Sequence, residues 1–205
     1  MIKFLLTATA ISLSGVLAPG PMTAATLAAG TRSRHAGAII ALGHGVIEFP
    51  LMLLIIAGAG RVFELEPVKL GIGLAGGLVL LLMGVQLLTA AHSATGDPQV
   101  SNGRHPFVTG IILSGGNPYF LIWWATVGLA LATQAVELGI LAFALFAVVH
   151  WLCDLVWLET LSWASHQGTE ILGGRLQQIV LVICGVMLLG FGGKFLYDAG
   201  CGLLG

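Results

Sequence analysis

Charge is what this chain has least of. Its 205 residues include only 8 Lys or Arg and 9 Asp or Glu, which is 8%, against about 25% in an ordinary soluble domain. So little charge cannot cover a water-facing surface, so a soluble enzyme is not expected and no catalytic site is assigned. Basic runs are also missing, and the formal net charge is -1. Nucleic acid is therefore not an expected partner. The three cysteines, Cys153, Cys184 and Cys201, form no CxxC pair, which argues against a membrane chaperone or a thiol-electron carrier. No phosphate-binding GxxxxGK[ST] loop is present, so ATP is not the direct energy source. No cofactor is implied.

Apolar residues make up 57% of the chain, and glycines number 30. Glycine at that level in an apolar chain points to closely packed membrane helices. A ~30 Å hydrocarbon core needs about 20 helical residues. Six apolar stretches meet that length, at 2–30, 36–60, 68–91, 107–131, 138–165 and 174–199. The first has the outline of a secretory signal, with Lys3 ahead of an apolar run from Phe4 to Leu17. Its best cleavage point, Ala18, precedes Pro19, and apolar character resumes after Pro21. It reads as a span. Arg32, Arg34, Arg104 and Arg175 fall on one side, and Lys3, Arg61 and Lys69 on the other. This slight bias places both termini outside.

The halves resemble each other. At an offset of 97, Gly20-Pro21 falls on Asn117-Pro118. At 106, His44 falls on His150 and Glu48 on Asp154. At 108, Gly84-Val-Gln86 falls on Gly192-Gly-Lys194. Three spans per half is an odd number, so the second copy enters the membrane inverted. The expected fold is an all-α membrane protein of six transmembrane helices in two inverted three-helix repeats, with helices one and four broken. It is one transmembrane domain over 1–205: repeat one at about 1–91, a linker at about 92–106, and repeat two at about 107–205.

Three features carry chemistry. Pro19-Gly20-Pro21 lies inside span one, where two prolines break or kink the helix. Pro21 suits the first position of a new half-helix, and the amides that follow, including that of Thr23, lack helical partners. Such an end can receive an anionic group; the structural alternative is a packing kink. Gly116-Asn117-Pro118 repeats the pattern in span four, with Asn as cap and Pro as first residue. Paired broken helices are the pattern of a transport site at mid-membrane. The third feature is His44 with Glu48 and His150 with Asp154, each at i and i+4 on one helix face. An in-membrane carboxylate has to be protonated or partnered. That suits proton coupling, and two His plus two acids also suit a divalent transition metal. The structural alternative is two pairs that only tie helices together. His166 and Glu170 show the same spacing in what reads as a loop.

Other signals read as packing. Gly71-Ile-Gly-Leu-Ala-Gly76 matches GxGxxG without a preceding strand. Gly37, Ala41 and Gly45 form a small-residue contact face. Trp123, Trp124, Trp151, Trp157 and Trp163 read as interface anchors and packing. Lys194 sits where it can snorkel.

Ala18-Pro-Gly-Pro21, the small residues after a basic turn, and Gly116-Asn-Pro118 resemble the lysine-exporter (LysE/RhtB) family over nearly the whole chain. The resemblance implies a multi-pass inner-membrane exporter of amino acids or related solutes, driven by an ion gradient, with a cytoplasmic turn after span one. Here Met22 follows Pro-Gly-Pro, where many members carry a polar residue. The resulting expectation is efflux of a small solute, an amino acid, by an antiporter coupled to a proton gradient across the cytoplasmic membrane. Pro19, Gly20, Pro21, Thr23, Gly116, Asn117 and Pro118 would bind substrate, and His44, Glu48, His150 and Asp154 would couple protons. The alternative is a divalent metal exporter that uses those last four residues as ligands. Expected partners are the small-molecule substrate and membrane lipid; the small-residue faces also allow a homodimer.

Overall fold

The computed structural model describes residues 1–17, 20–58, 65–93, 105–172 and 174–204. All regular structure among them is helical. The helices are α1 (Ile2–Val16), α2 (Pro21–Gly30), α3 (Ala36–Ile56), α4 (Glu66–Ser93), α5 (Pro106–Gly115), α6 (Pro118–Trp123), α7 (Leu129–Glu137), α8 (Ile140–Leu172) and α9 (Gly174–Leu204). One wide turn of π-helix, Trp124–Gly128, joins α6 to α7. Among the described residues, five helices are long and apolar enough to cross a membrane: Ala36–Ile56, Glu66–Thr89, Tyr119–Glu137, Ile140–Thr169 and Gln178–Cys201. Ile2–Leu13 and Pro106–Gly115 are shorter apolar helices. The chain is a multi-pass, all-α membrane protein.

Both expected breaks are present. The first apolar stretch divides into α1 and α2, and α2 opens with Gly20 as its extended cap and Pro21 at its start. Pro19 lies outside the described residues. The fourth divides at Gly116-Asn117. There α5 ends, and α6 opens with Pro118 at its first turn and the Asn117 side chain accepting the Tyr119 N–H at 3.1 Å. Proline has no N–H to give and suits a first turn, and asparagine supplies the missing acceptor, so the chain restarts a helix here.

Two boundaries differ most from expectation. The fourth stretch runs past residue 131, because α7 continues to Glu137 before a turn in which Gly139 takes a positive φ of 110°. The fifth does not end at 165. α8 continues to Leu172, so His166 and Glu170 lie on a helix and not in a loop. No proline interrupts 166–172, and the Thr169 hydroxyl returns to the Ser165 carbonyl at 2.9 Å, so nothing stops the helix there. The expected loop residues 94–104 and Arg61 lie outside the described residues.

Close approach brings α3 into the centre. Gly37 lies against the Leu158 backbone of α8, where a Cβ would collide with it. Farther along, the Ala41 carbonyl accepts the Trp151 indole N–H at 3.0 Å. On the opposite side, Gly43 meets the Phe107 carbonyl of α5, and Gly110 of α5 meets the Ile40 carbonyl. The expected small-residue face thus seats α3 on α8, and a second one seats it on α5. One apolar cluster joins α1, α3, the π turn, α7 and α8 through Phe4, Met52, Trp124, Leu131 and Phe146. Another joins α2, α4, α5 and α9 through Ala24, Leu80, Leu113 and Leu188.

Candidate functional site

α3 runs between α5 and α8, so whatever projects from its middle turn is enclosed. His44 and Glu48 occupy that turn. His44 is 4% exposed and Glu48 0%. From α8, His150 and Asp154 face them. Each histidine meets both acids. His44 Nε2 lies 3.1 Å from Glu48 Oε1 and 3.9 Å from Asp154 Oδ2. His150 Nε2 lies 3.2 Å from Glu48 Oε1 and 3.7 Å from Asp154 Oδ2. The two i,i+4 pairs, 106 residues apart, therefore make one group of four.

The group is not saturated. Glu48 Oε2 and Asp154 Oδ2 are buried oxygens without a hydrogen-bond partner among the described residues. Burying such acceptors costs free energy unless something meets them. The Nε2 atoms face the acids because their other nitrogens are engaged. His44 Nδ1 stands 2.7 Å from Ser114 Oγ of α5, and His150 Nδ1 stands 2.7 Å from Ser12 Oγ of α1. Aromatic rings close the surroundings. Phe120 meets His44 edge-on at 4.9 Å, Trp123 stacks on His150 at 5.1 Å, and the Trp124 indole donates to Glu48 Oε1 at 3.3 Å.

The four residues open onto a cavity of about 300 Å³. Gly20, Pro21, Met22 and Thr23 of the first break line it, together with Asn117 and Tyr119 of the second. The first helical bond of α2 is from the Ala24 N–H to the Gly20 carbonyl, so the Met22 amide precedes the ladder. Of the residues expected to bind substrate, the structure brings Gly20, Pro21, Thr23 and Asn117 to one cavity with all four His and acid residues. Gly116 does not line it and ends α5 with its amide on the Ile112 carbonyl at 2.9 Å. Of Pro118 only its backbone place at the start of α6 is described. Lys194 also reaches the cavity lining, exposed and paired with Asp198.

Three contributors escaped the sequence. Ser12 is one of several hydroxyls in its apolar run and Ser114 stands just before the second break, and nothing local marks the partner of either. Trp124 reads as packing or anchor by its neighbours, yet it is fully buried and bonded to Glu48. A signal existed for it in retrospect: a tryptophan seven residues past a helix break needs a partner for its N–H when buried. The π turn that begins at Trp124 is a common companion of functional sites.

Among the described residues, His44, Glu48 and Asp154 form the group whose ligand atoms all lie within 4.8 Å of one another; His150 is not in that group and joins through its own contacts with the two acids. A tetrahedral site with ligands at about 2.0–2.2 Å places neighbouring ligand atoms roughly 3.3–3.6 Å apart. The four His–acid separations of 3.1, 3.2, 3.7 and 3.9 Å straddle that range. Two imidazoles and two carboxylates suit a divalent transition metal, and the carboxylates balance its charge.

No curated protein and no solved structure matches the chain. The model of the family described as LysE type translocator matches residues 13–199, which takes in both helix breaks and all four His and acid residues. The multi-pass helical fold and that match over nearly its whole length make this chain a member of the LysE type translocator family, membrane transporters that export small solutes.

Proposed function

We propose that the chain exports a divalent transition-metal cation, with the metal as cargo on His44, Glu48, His150 and Asp154. The observation that carries this is the convergence of two His–acid pairs from α3 and α8 at 3.1–3.9 Å, with buried carboxylate oxygens left without a hydrogen-bond partner among the described residues. The chemistry favours a zinc-like ion that accepts four N and O ligands. Release follows from the division of labour. Each helix owns one His and one acid, so parting α3 from α8 splits one four-ligand site into two two-ligand sites. Each half-site holds the ion far less tightly, and water replaces the lost ligands. We place the protein in the cytoplasmic membrane with both termini outside, and the two three-helix halves as inverted repeats that rock about this site. The crossed Ser–His contacts support that relation, since each half contributes one serine and one His–acid pair.

A second reading is favoured by a different observation. The cavity of about 300 Å³ is larger than a bare cation and reaches the start of α2. In this reading the cargo is an amino acid. Its carboxylate sits at the α2 start by Gly20, Pro21 and Thr23 and near Asn117, and its amino group faces Glu48 or Asp154. Proton binding at those acids, with His44 and His150 as neighbours, then couples export to the proton gradient.

One experiment separates them. Proteoliposomes are loaded with zinc, manganese, cadmium and mixed amino acids, an ion gradient is imposed, and the retained contents are measured by mass spectrometry. The expected result is loss of zinc with amino acids retained, abolished in Glu48→Gln with Asp154→Asn. Selective loss of an amino acid with all metals retained overturns the metal reading in favour of the second.

A further inference from the structure

The Ser114 hydroxyl stands between two acceptor positions, the Gly110 carbonyl and His44 Nδ1, and the shorter contact is to the carbonyl. A serine hydroxyl carries one hydrogen. That of Ser114 goes to the Gly110 carbonyl, 2.6 Å away in the preceding turn. With its hydrogen there, Ser114 Oγ accepts from His44 Nδ1 at 2.7 Å, so Nδ1 carries the hydrogen. Nε2 is then the nitrogen that faces Glu48 and Asp154, and the proton that joins it to Glu48 Oε1 at 3.1 Å must leave when a metal takes its lone pair. Ser12 meets His150 Nδ1 at the same distance, and this matching contact in the other half is what extends the assignment to His150. Both serines are fully buried, Ser12 at 1% and Ser114 at 0%.

The pairing is also crossed. Ser114 belongs to α5, the half-helix before the second break, and holds a histidine of α3. Ser12 belongs to α1, the half-helix before the first break, and holds a histidine of α8. Each His–acid pair is thus oriented by a broken helix from the other half of the chain. A shift of α5 or α1 along its partner withdraws the acceptor and frees the ring.

We propose that Ser114 and Ser12 are positioning residues, which hold the hydrogen of His44 and of His150 on Nδ1, present Nε2 to the cargo, and tie the grip on the cargo to the position of the two broken helices. The link to cargo rests on the metal reading above; the hydrogen placement does not. Supporting partners of this kind typically change metal affinity by ~10–100-fold.

The test uses the full chain in lipid nanodiscs, with histidine labelled in ¹⁵N and signals assigned through His44→Gln and His150→Gln. In the metal-free protein both rings should carry hydrogen on Nδ1. Ser114→Ala should shift hydrogen at His44 towards Nε2 without changing His150, and Ser12→Ala should do the reverse. Zinc binding by titration should weaken ~10–100-fold in each, with Ser114→Thr restoring it because the hydroxyl remains. Wild-type rings without hydrogen on Nδ1, or serine variants with unaltered ring signals and wild-type zinc affinity, overturn the proposal. If the wild type binds no zinc but the ring signals respond as stated, the positioning role stands and the metal reading falls. A variant that does not fold is recognised by loss of its thermal transition, and the remaining serine then decides through its own ring.

Discussion

Two histidine–glutamate contacts join the α3 region to α8, and they share little beyond residue type. At the start of α3, His35 Nδ1 meets Glu159 Oε1 at 2.6 Å, with the side chains 60% and 30% exposed. In the middle of α3, His44 and Glu48 meet His150 and Asp154 with side chains 15% exposed or less. The outer contact has a structural occupation. Glu159 Oε2 accepts the Ala38 N–H at 2.9 Å, and Ser162 Oγ accepts the Gly37 N–H at 2.9 Å, so α8 caps the otherwise open first turn of α3. Both oxygens of the Glu159 carboxylate have partners there. The inner group leaves two carboxylate oxygens without a hydrogen-bond partner among the described residues, surrounded by aromatic rings and in the middle of two apolar helices. Four ionisable groups taken out of water are a poor way to join helices, because apolar side chains of similar size do it without the desolvation penalty. The difference teaches where stability ends and function begins: the exposed pair completes a helix, and the buried group waits for something.

Experiments can break or sharpen that contrast. The largest effect is expected inside. Glu48→Gln with Asp154→Asn keeps the shape but removes both negative charges. Zinc efflux from proteoliposomes should fall by ~100-fold or more, beyond the ~10–100-fold of losing a supporting partner, while the protein still elutes as a folded species.

Next comes the contact that brings the helices together. Gly37→Val places atoms where the Leu158 backbone already lies, so α3 must retreat from α8. Overpacking of this kind costs about 1–3 kcal/mol. A lower Tm in detergent together with weaker zinc binding is the expected pair of results; a lower Tm with unchanged binding would separate the site from this packing.

A smaller change is expected for Trp124→Phe, which keeps a ring but removes the indole hydrogen from Glu48. A hydrogen bond to a charged group is worth about 1.5–3 kcal/mol, so affinity measured by titration should change by roughly 10–100-fold at most, and by less if Glu48 finds another donor.

The smallest belongs to the outer pair. Glu159→Gln keeps an oxygen to cap Ala38 and loses only the charge facing His35. Exposed ion pairs contribute about 0–1 kcal/mol, so Tm should move little and efflux not at all. An efflux defect there would show that the outer contact takes part in transport, and the contrast would fail.

Much of this architecture was legible along the chain because local rules govern it. Apolar length marked the spans. Pro21 and Asn117-Pro118 marked the two restarts, since the chemistry that begins a helix is contained within a few residues. The i,i+4 spacing put each histidine on one face with its acid. The end of α8 was misplaced at 165 because a polar stretch without proline can continue a helix as readily as leave it. Trp124 was read as packing because a side chain's partner is not written beside it.

Sequence alone determined that this protein is a bundle of membrane helices with two interruptions and two separate His–acid pairs, because helix length, helix restart and face-sharing are properties of neighbours in the chain. Only the tertiary structure decided that the pairs form one site, that Ser12 and Ser114 reach across to orient them, and that both interruptions open on the same cavity. Those outcomes depend on how closely α3 can approach α8 and α5 at Gly37, Gly43 and Gly110. Contacts between residues 70 to 138 positions apart are set by helix packing, which no local pattern specifies.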